Sequence, residues 1–326
     1  MAGGGFRLWL ALLILVVAGG RPASAQVLFE VAGERALGMG GAFVAVADDA
    51  TAVHWNPAGL AAAQPAGVTI GWHRFQLGND NLAPAAGQSR ARTSLTSLGT
   101  WPLGLSYGGF SHAWIEEGSD GLRGQSLRVS QLGVTVLQSL LPQVVLGSTV
   151  KFMRGRLAST GVGEPTAGDA FDRITDLDAD ARTTVDFDLG LMAMSRLARA
   201  AVVVKNLRSP VFRENAENAT SLPRQVRAGL SVRPADGVTL AMDVDLNTVD
   251  LMGDPRRMFA AGGELGLGSR VKVRSGVRWN LARSGQRVGA VGGSVAVRTG
   301  LWLDGHYSRG HGGDGLEFGV ALRAGF

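Results

Sequence analysis

The chain has 326 residues, 45% of them hydrophobic, with 48 glycines, no cysteine and a formal net charge of +5. Without cysteine there are neither disulfides nor thiol chemistry, and the glycines follow no G-X-Y period, which excludes collagen. The charge excess is small and no basic patch interleaved with aromatics is present, so nucleic acid is not an expected partner.

The longest apolar run comes first, Leu8 to Ala18. Arg7 precedes it and Ala23-Ser24-Ala25 follows, the order of a secretory signal peptide, with cleavage expected before Gln26. The run falls short of the ~20 residues that a spanning helix needs. Residues 1–25 are therefore read as a signal peptide, 26–63 as a separate N-terminal segment and 64–326 as the main domain.

The N-terminal segment does not alternate like a strand. Gly38, Gly40 and Gly41 predict a stretch of close backbone contact, and Asp48-Asp49 a turn or helix start with Ala50 to Val53 as one helical turn. Asn56-Pro57 forces another turn, because the residue before proline avoids the α region.

Beyond residue 63 the chain breaks into short stretches of period-two alternation. In 238–247, Val238, Leu240, Met242, Val244 and Leu246 share one face, with Asp243 and Asp245 on the other. In 270–280, Val271, Val273, Val277 and Trp279 alternate with Lys272, Arg274 and Arg278. At 100° per residue a helix would scatter these charges, whereas a strand gives each stretch one apolar face. The pattern predicts about fourteen strands, an even number as in transmembrane barrels. The expected spans are 66–76, 90–100, 103–114, 124–138, 143–157, 182–195, 199–208, 223–233, 237–247, 256–266, 269–280, 287–298, 300–309 and 315–326. Connections after even-numbered strands are short. Those after odd-numbered strands are mostly longer, notably 77–89, 158–181 and 209–222. Short periplasmic turns and longer outer loops are the pattern of an outer-membrane barrel. The last strand alternates Leu316, Phe318, Val320, Leu322, Ala324 and Phe326 to the final residue, and so resembles the C-terminal signal read by the barrel assembly machinery.

The block from Arg35 to Ala61, RALGMGGAFVAVADDATAVHWNPAGLA, resembles the PorV/PorQ family, which is related to the FadL-type outer-membrane proteins. The resemblance implies an all-β fold: a transmembrane antiparallel barrel of fourteen strands with the N-terminal segment inside the lumen as a plug, or hatch. Gly38, Gly40, Gly41, Asp48, Asp49, Asn56, Pro57, Ala58 and Gly59 would form the hatch motif. His54 stands where the family pattern has an aromatic such as Tyr.

Strand parity places Lys151, Lys205, Arg227, Lys272, Arg274, Arg278 and Arg323 in the lumen, with Asp186, Asp188, Asp243, Asp245, Asp304 and Glu317. Mixed signs allow ion pairs between strands and to a plug. Gly108-Gly109 in the third strand would weaken the ladder and permit a kink; in FadL-like proteins a kink there opens a lateral exit. No nucleophile, dinucleotide, metal or other cofactor motif is present, so an enzyme is not expected. Two readings follow. The first is a PorV-like component of protein export or surface attachment, of the type IX kind, with secreted proteins as clients. The second is a FadL-like channel for hydrophobic small molecules, with apolar pockets lined by Phe110, Trp114, Met192 and Met194. Either would place the chain in outer-membrane lipid.

Overall fold

The computed structural model describes residues 32–215, 218–251, 254–283, 285–310 and 315–326. The expected signal peptide lies outside the described residues. The strands in chain order are β1 (Ala66–Leu77), β2 (Ser89–Thr100), β3 (Leu103–Gly118), β4 (Gly121–Leu141), β5 (Val144–Gly161), β6 (Arg182–Met194), β7 (Ala198–Lys205), β8 (Val211–Arg213), β9 (Ala219–Ser221), β10 (Gln225–Ala235), β11 (Val238–Asp245), β12 (Val249–Leu251), β13 (Asp254–Arg256), β14 (Met258–Leu267), β15 (Val271–Asn280), β16 (Arg287–Arg298), β17 (Leu301–Gly310) and β18 (Leu316–Gly325).

Fourteen of them form a closed antiparallel barrel, with β1 sealed against β18. The pairs β8–β9 and β12–β13 are small ribbons in the loops. Closure leaves no edge strand, so the backbone groups of the wall are paired within it, as a lipid environment requires. No helix among the described residues is long and apolar enough to cross a membrane. Ile70, Leu105, Tyr107, Val136, Leu230, Val291 and Leu303 are exposed, all on the outward face. Inward positions on the same strands are buried and largely small or polar. Phe318 lies on the outward face, and Phe326 ends the seam with its backbone N–H donated to the Ala66 carbonyl at 2.8 Å.

Three local differences from the expected layout have physical causes. The loop expected between the third and fourth strands is a tight turn at Ser119-Asp120, because β3 and β4 continue to 16 and 21 residues. Their outer ends have something to pack on: Ile115 and Leu122 meet Phe171 and Ile174 of the outer-loop helix Ala167–Asp176. β7 stops at Lys205, since Asn206 adopts φ 54° and donates its N–H to Asp188. The short helix expected at Ala50 to Val53 spans Ala52–Trp55 instead. The Asp49 carboxylate accepts from the Thr51 N–H, and this turn delays the helix.

Candidate functional site

The N-terminal segment, residues 32–63, runs inside the ring of strands. It contains the helix α1 (Glu34–Gly38), the helix α2 (Ala52–Trp55) and a 3-10 turn over Pro57–Ala62. Leu37, Met39, Phe43, Val46 and Trp55 form a core with Val203, Met192 and Ala260 of the wall. Inward-facing glycines let the segment approach so closely. A Cβ on Gly262 or Gly276 would overlap the backbone of Met39, one on Gly147 that of Ala58, and one on Gly190 the Asn56 side chain. Gly38 faces Gly292 across the same kind of contact. Gly40 and Gly41 turn the chain with φ of 69° and 87°, a region that favours glycine.

Polar contacts then fix the segment. The Arg35 guanidinium forks onto Glu264 of β14 at 2.8 and 3.0 Å, and also reaches Asp48 and Asp49. Asp48 takes a second cation, Arg233, at 2.6 Å. Asp243 of β11 accepts the backbone N–H groups of Phe43 and Val44, both at 2.8 Å. The Asn56 amide donates to the Val44 carbonyl at 3.0 Å, and its oxygen accepts the Ala58 N–H at the start of the Pro57 turn. Gly59 lies against Ala47, where a Cβ would overlap the carbonyl. The residues expected to form a hatch motif lie in these turns and contacts.

The remaining lumen charges pair across the wall. Lys151 bridges Asp186 at 2.9 Å and Asp188 at 2.7 Å. Arg227 meets Asp245 at 2.7 Å, Arg274 meets Glu264 at 2.6 Å, Arg278 meets Glu317 at 2.6 Å, and Arg323 meets Asp304 at 2.8 Å. Lys272 lies 3.7 Å from Glu264. Arg35 and Glu264, the centre of this lattice, were not singled out by sequence reasoning. A signal existed for Glu264, the one carboxylate of β14, placed opposite in parity to Leu265 and Leu267.

Above the segment lies a cavity. Its empty space, mouth included, is about 1080 Å³. Leu95, Phe110, Val129, Met153, Leu222 and Met258 supply an apolar wall, while His54, Lys151 and Lys205 line its polar side. Phe110, Trp114, Leu127, Val129, Met153 and Phe212 form a continuous apolar cluster here, roofed by the β8–β9 ribbon. Of the four residues expected to line apolar pockets, Phe110 and Trp114 belong to this cluster. Met192 and Met194 do not: they pack against the N-terminal segment, lower in the lumen.

Gly108 and Gly109 both border the cavity. The ladder passes through them unbroken, with Gly108 opposite Leu95 and Gln131, and Gly109 opposite Ser94 and Ser130. No register shift interrupts the pairing at these glycines. A Cβ on Gly108 would meet nothing closer than 3.5 Å, so this glycine does not seat the segment. Gln131 lines the cavity on one side and an outward groove on the other. Below the segment, at the short-turn end, a second recess is lined by Arg35, Asp48, Asp49, Arg199, Arg233 and Lys272.

The closed fourteen-stranded barrel is similar in fold to several solved channel structures. The solved structures similar to the chain include the CymD monoaromatic hydrocarbon channel (TM-score 0.63, 14% identity, 91% of this chain and 98% of that one). A FadL homologue of Pseudomonas aeruginosa aligns with TM-score 0.61 and 10% identity over 93% of this chain and 100% of that one. The toluene transporter TodX of Pseudomonas putida aligns with TM-score 0.58 and 12% identity over 90% and 96%. At these identities the likeness is one of fold. A family model described as "F plasmid transfer operon, TraF, protein" matches residues 115–245. No curated protein matches the chain.

Proposed function

We propose that this barrel lies in an outer membrane and carries small hydrophobic molecules, with the N-terminal segment as its plug. One observation supports this reading above the others. The apolar cavity reaches the wall at Gly108-Gly109, where no side chain stands on either face of β3. An uncharged apolar molecule would leave water for Leu95, Phe110, Val129 and Met153, a gain proportional to the apolar area it buries. On the polar side Lys151 is already held by two carboxylates, so this cation offers a charged solute little.

Passage straight down meets the ion-paired plug. A sideways route past Gln131 toward lipid would require the unbroken β2–β3–β4 ladder to part at Gly108-Gly109. Monoaromatic hydrocarbons, the cargo named for CymD, suit the cavity, and long-chain fatty acids are the comparison ligand. The protein-export reading has no comparable observation behind it: the β8–β9 ribbon covers the lumen, while the Ala167–Asp176 helix packs on the outward side of β3 and β4.

The test is uptake of radiolabelled toluene and of oleate by cells that lack their own channel of this kind and express the protein. Uptake above the empty-vector level, lost in a folded Gly108→Val variant, is expected. Vector-level uptake of both ligands would overturn the reading. Uptake unchanged by Gly108→Val would overturn the sideways route alone.

A further inference from the structure

The outward face of β4 and β5 changes character abruptly. On β5 the outward residues read Leu146, Ser148, Val150 and Phe152, then Arg154 and Arg156. On β4 they read Val136, Val134 and Leu132, then Ser130 and Arg128. Pairing puts these in register: Phe152 lies opposite Leu132, Arg154 opposite Ser130, and Arg156 opposite Arg128. Tyr107 of β3 joins the Leu132 row and is 60% exposed. An exposed aromatic closing an apolar run marks the level of a lipid interface. The arginines begin one row beyond it, roughly 7 Å further along the strands. That is where lipid phosphate lies.

These arginines enclose a groove. Arg128, Arg154 and Arg156 wall it, Ser130 forms its shallow floor, and Tyr107, Leu132 and Phe152 border its membrane side. None of the three forms an ion pair among the described residues; Arg128 donates to the Leu177 carbonyl at 3.2 Å. Three cations set together on a lipid-facing wall repel one another unless an anion joins them. The planar fork of arginine suits phosphate oxygens, and the apolar border beneath suits acyl chains.

We propose that this groove binds the phosphate of an outer-leaflet lipid, which in an outer membrane is the lipid A part of lipopolysaccharide. The chemistry needs both halves, phosphate for the arginines and chains for Tyr107, Leu132 and Phe152. The proposal rests on the outer-membrane placement but not on what the cavity carries.

The test is native mass spectrometry of the intact, delipidated barrel in mild detergent, titrated with bisphosphorylated lipid A. Dephosphorylated lipid A and inorganic phosphate serve as comparison probes. Wild type should retain lipid A, and the variant Arg154→Gln/Arg156→Gln should bind it about 30-fold more weakly, at roughly fivefold per surface cation. Arg287→Gln, an outward arginine on the opposite wall, should bind as wild type does. Retention unchanged in the double variant, or equal retention of dephosphorylated lipid, would refute the site. Displacement of lipid A by inorganic phosphate at matching concentration would reduce it to a simple anion site and refute the lipid. Heat-dependent electrophoretic mobility reports folding. If the double glutamine variant fails it, Arg154→Lys/Arg156→Lys keeps the charge and loses the fork, and should still bind measurably more weakly.

Discussion

Above the plug the lumen is walled by Leu95, Phe110, Val129 and Met153; below it, by Arg35, Asp48, Asp49, Arg199 and Arg233. The upper chamber has an apolar wall and the lower a charged one. The N-terminal segment is the boundary, and its two sides are built differently. Toward the upper chamber it presents Ala32, Val53 and His54 with room above them. Toward β14–β18 it is pinned by Arg35 and pressed onto glycine. The contrast teaches that close packing on glycine holds the segment on both sides, against Gly147 of β5 as against Gly276 of β15, whereas the ion-paired pin at Arg35 lies toward β14 alone.

The sharpest way to break the contrast is to remove its pin. In Arg35→Ala, Glu264, Asp48 and Asp49 lose the cation they share while remaining buried. Breaking a buried ion pair from one side typically costs about 3–5 kcal/mol. The expected result is a plug cut by protease in the intact barrel and an increased ion conductance in planar bilayers. Wild-type conductance and protection would mean that packing alone holds the plug.

Two glycine substitutions then separate packing from cavity. Gly276→Ala puts a methyl group into the Met39 backbone, and overpacking of this kind costs about 1–3 kcal/mol. Gly108→Ala meets nothing within 3.5 Å and should change stability by no more than about 0.5 kcal/mol. Urea midpoints followed by electrophoretic mobility would compare them. Equal losses would show that Gly108 also sits in a packed contact, and the cavity wall would lose its special status.

Much of the barrel was legible because it rests on local alternation. The pleat turns Leu240 and Met242 outward and Asp243 and Asp245 inward whatever their partners are, so strand positions and the inward charges could be read from the chain. The outer ends of β3 and β4 were not, since Ile115 and Leu122 continue as strand only because the Ala167–Asp176 helix covers them. The paired glycines looked alike in sequence. In space, Gly262 and Gly292 face the plug, whereas Gly108 borders open volume. That difference depends on which distant backbone arrives at each, and no local pattern encodes it. Arg35 carries the same lesson: it lies 229 residues from Glu264, and nothing near either residue announces the other.

Glu34 gives the smallest effect and the finest distinction between pin and packing. It lies on α1 beside Arg35, against Gly71 and Gly319 of the wall. Its Oε2 has no hydrogen-bond partner among the described residues. Burial first, and then the nearby Asp304, Asp49 and Glu317, raise its pKa from 4.5 to about 8. In the folded protein it therefore keeps its proton up to about pH 8, while in the unfolded chain it ionises near 4.5. Between those values the folded state binds the extra proton, so stability falls as pH rises through the window. Below it both states are protonated and Glu34 contributes no pH dependence. Glu34→Gln should match wild type near about pH 4 and protect the plug better near about pH 9, as read by amide hydrogen exchange of residues 32–63. Arg35→Ala, by contrast, should lose protection at both. If Glu34→Gln keeps the full wild-type pH slope, the ionisation that loosens the plug belongs to another group, and the ion-paired side rather than the packed helix carries the pH response.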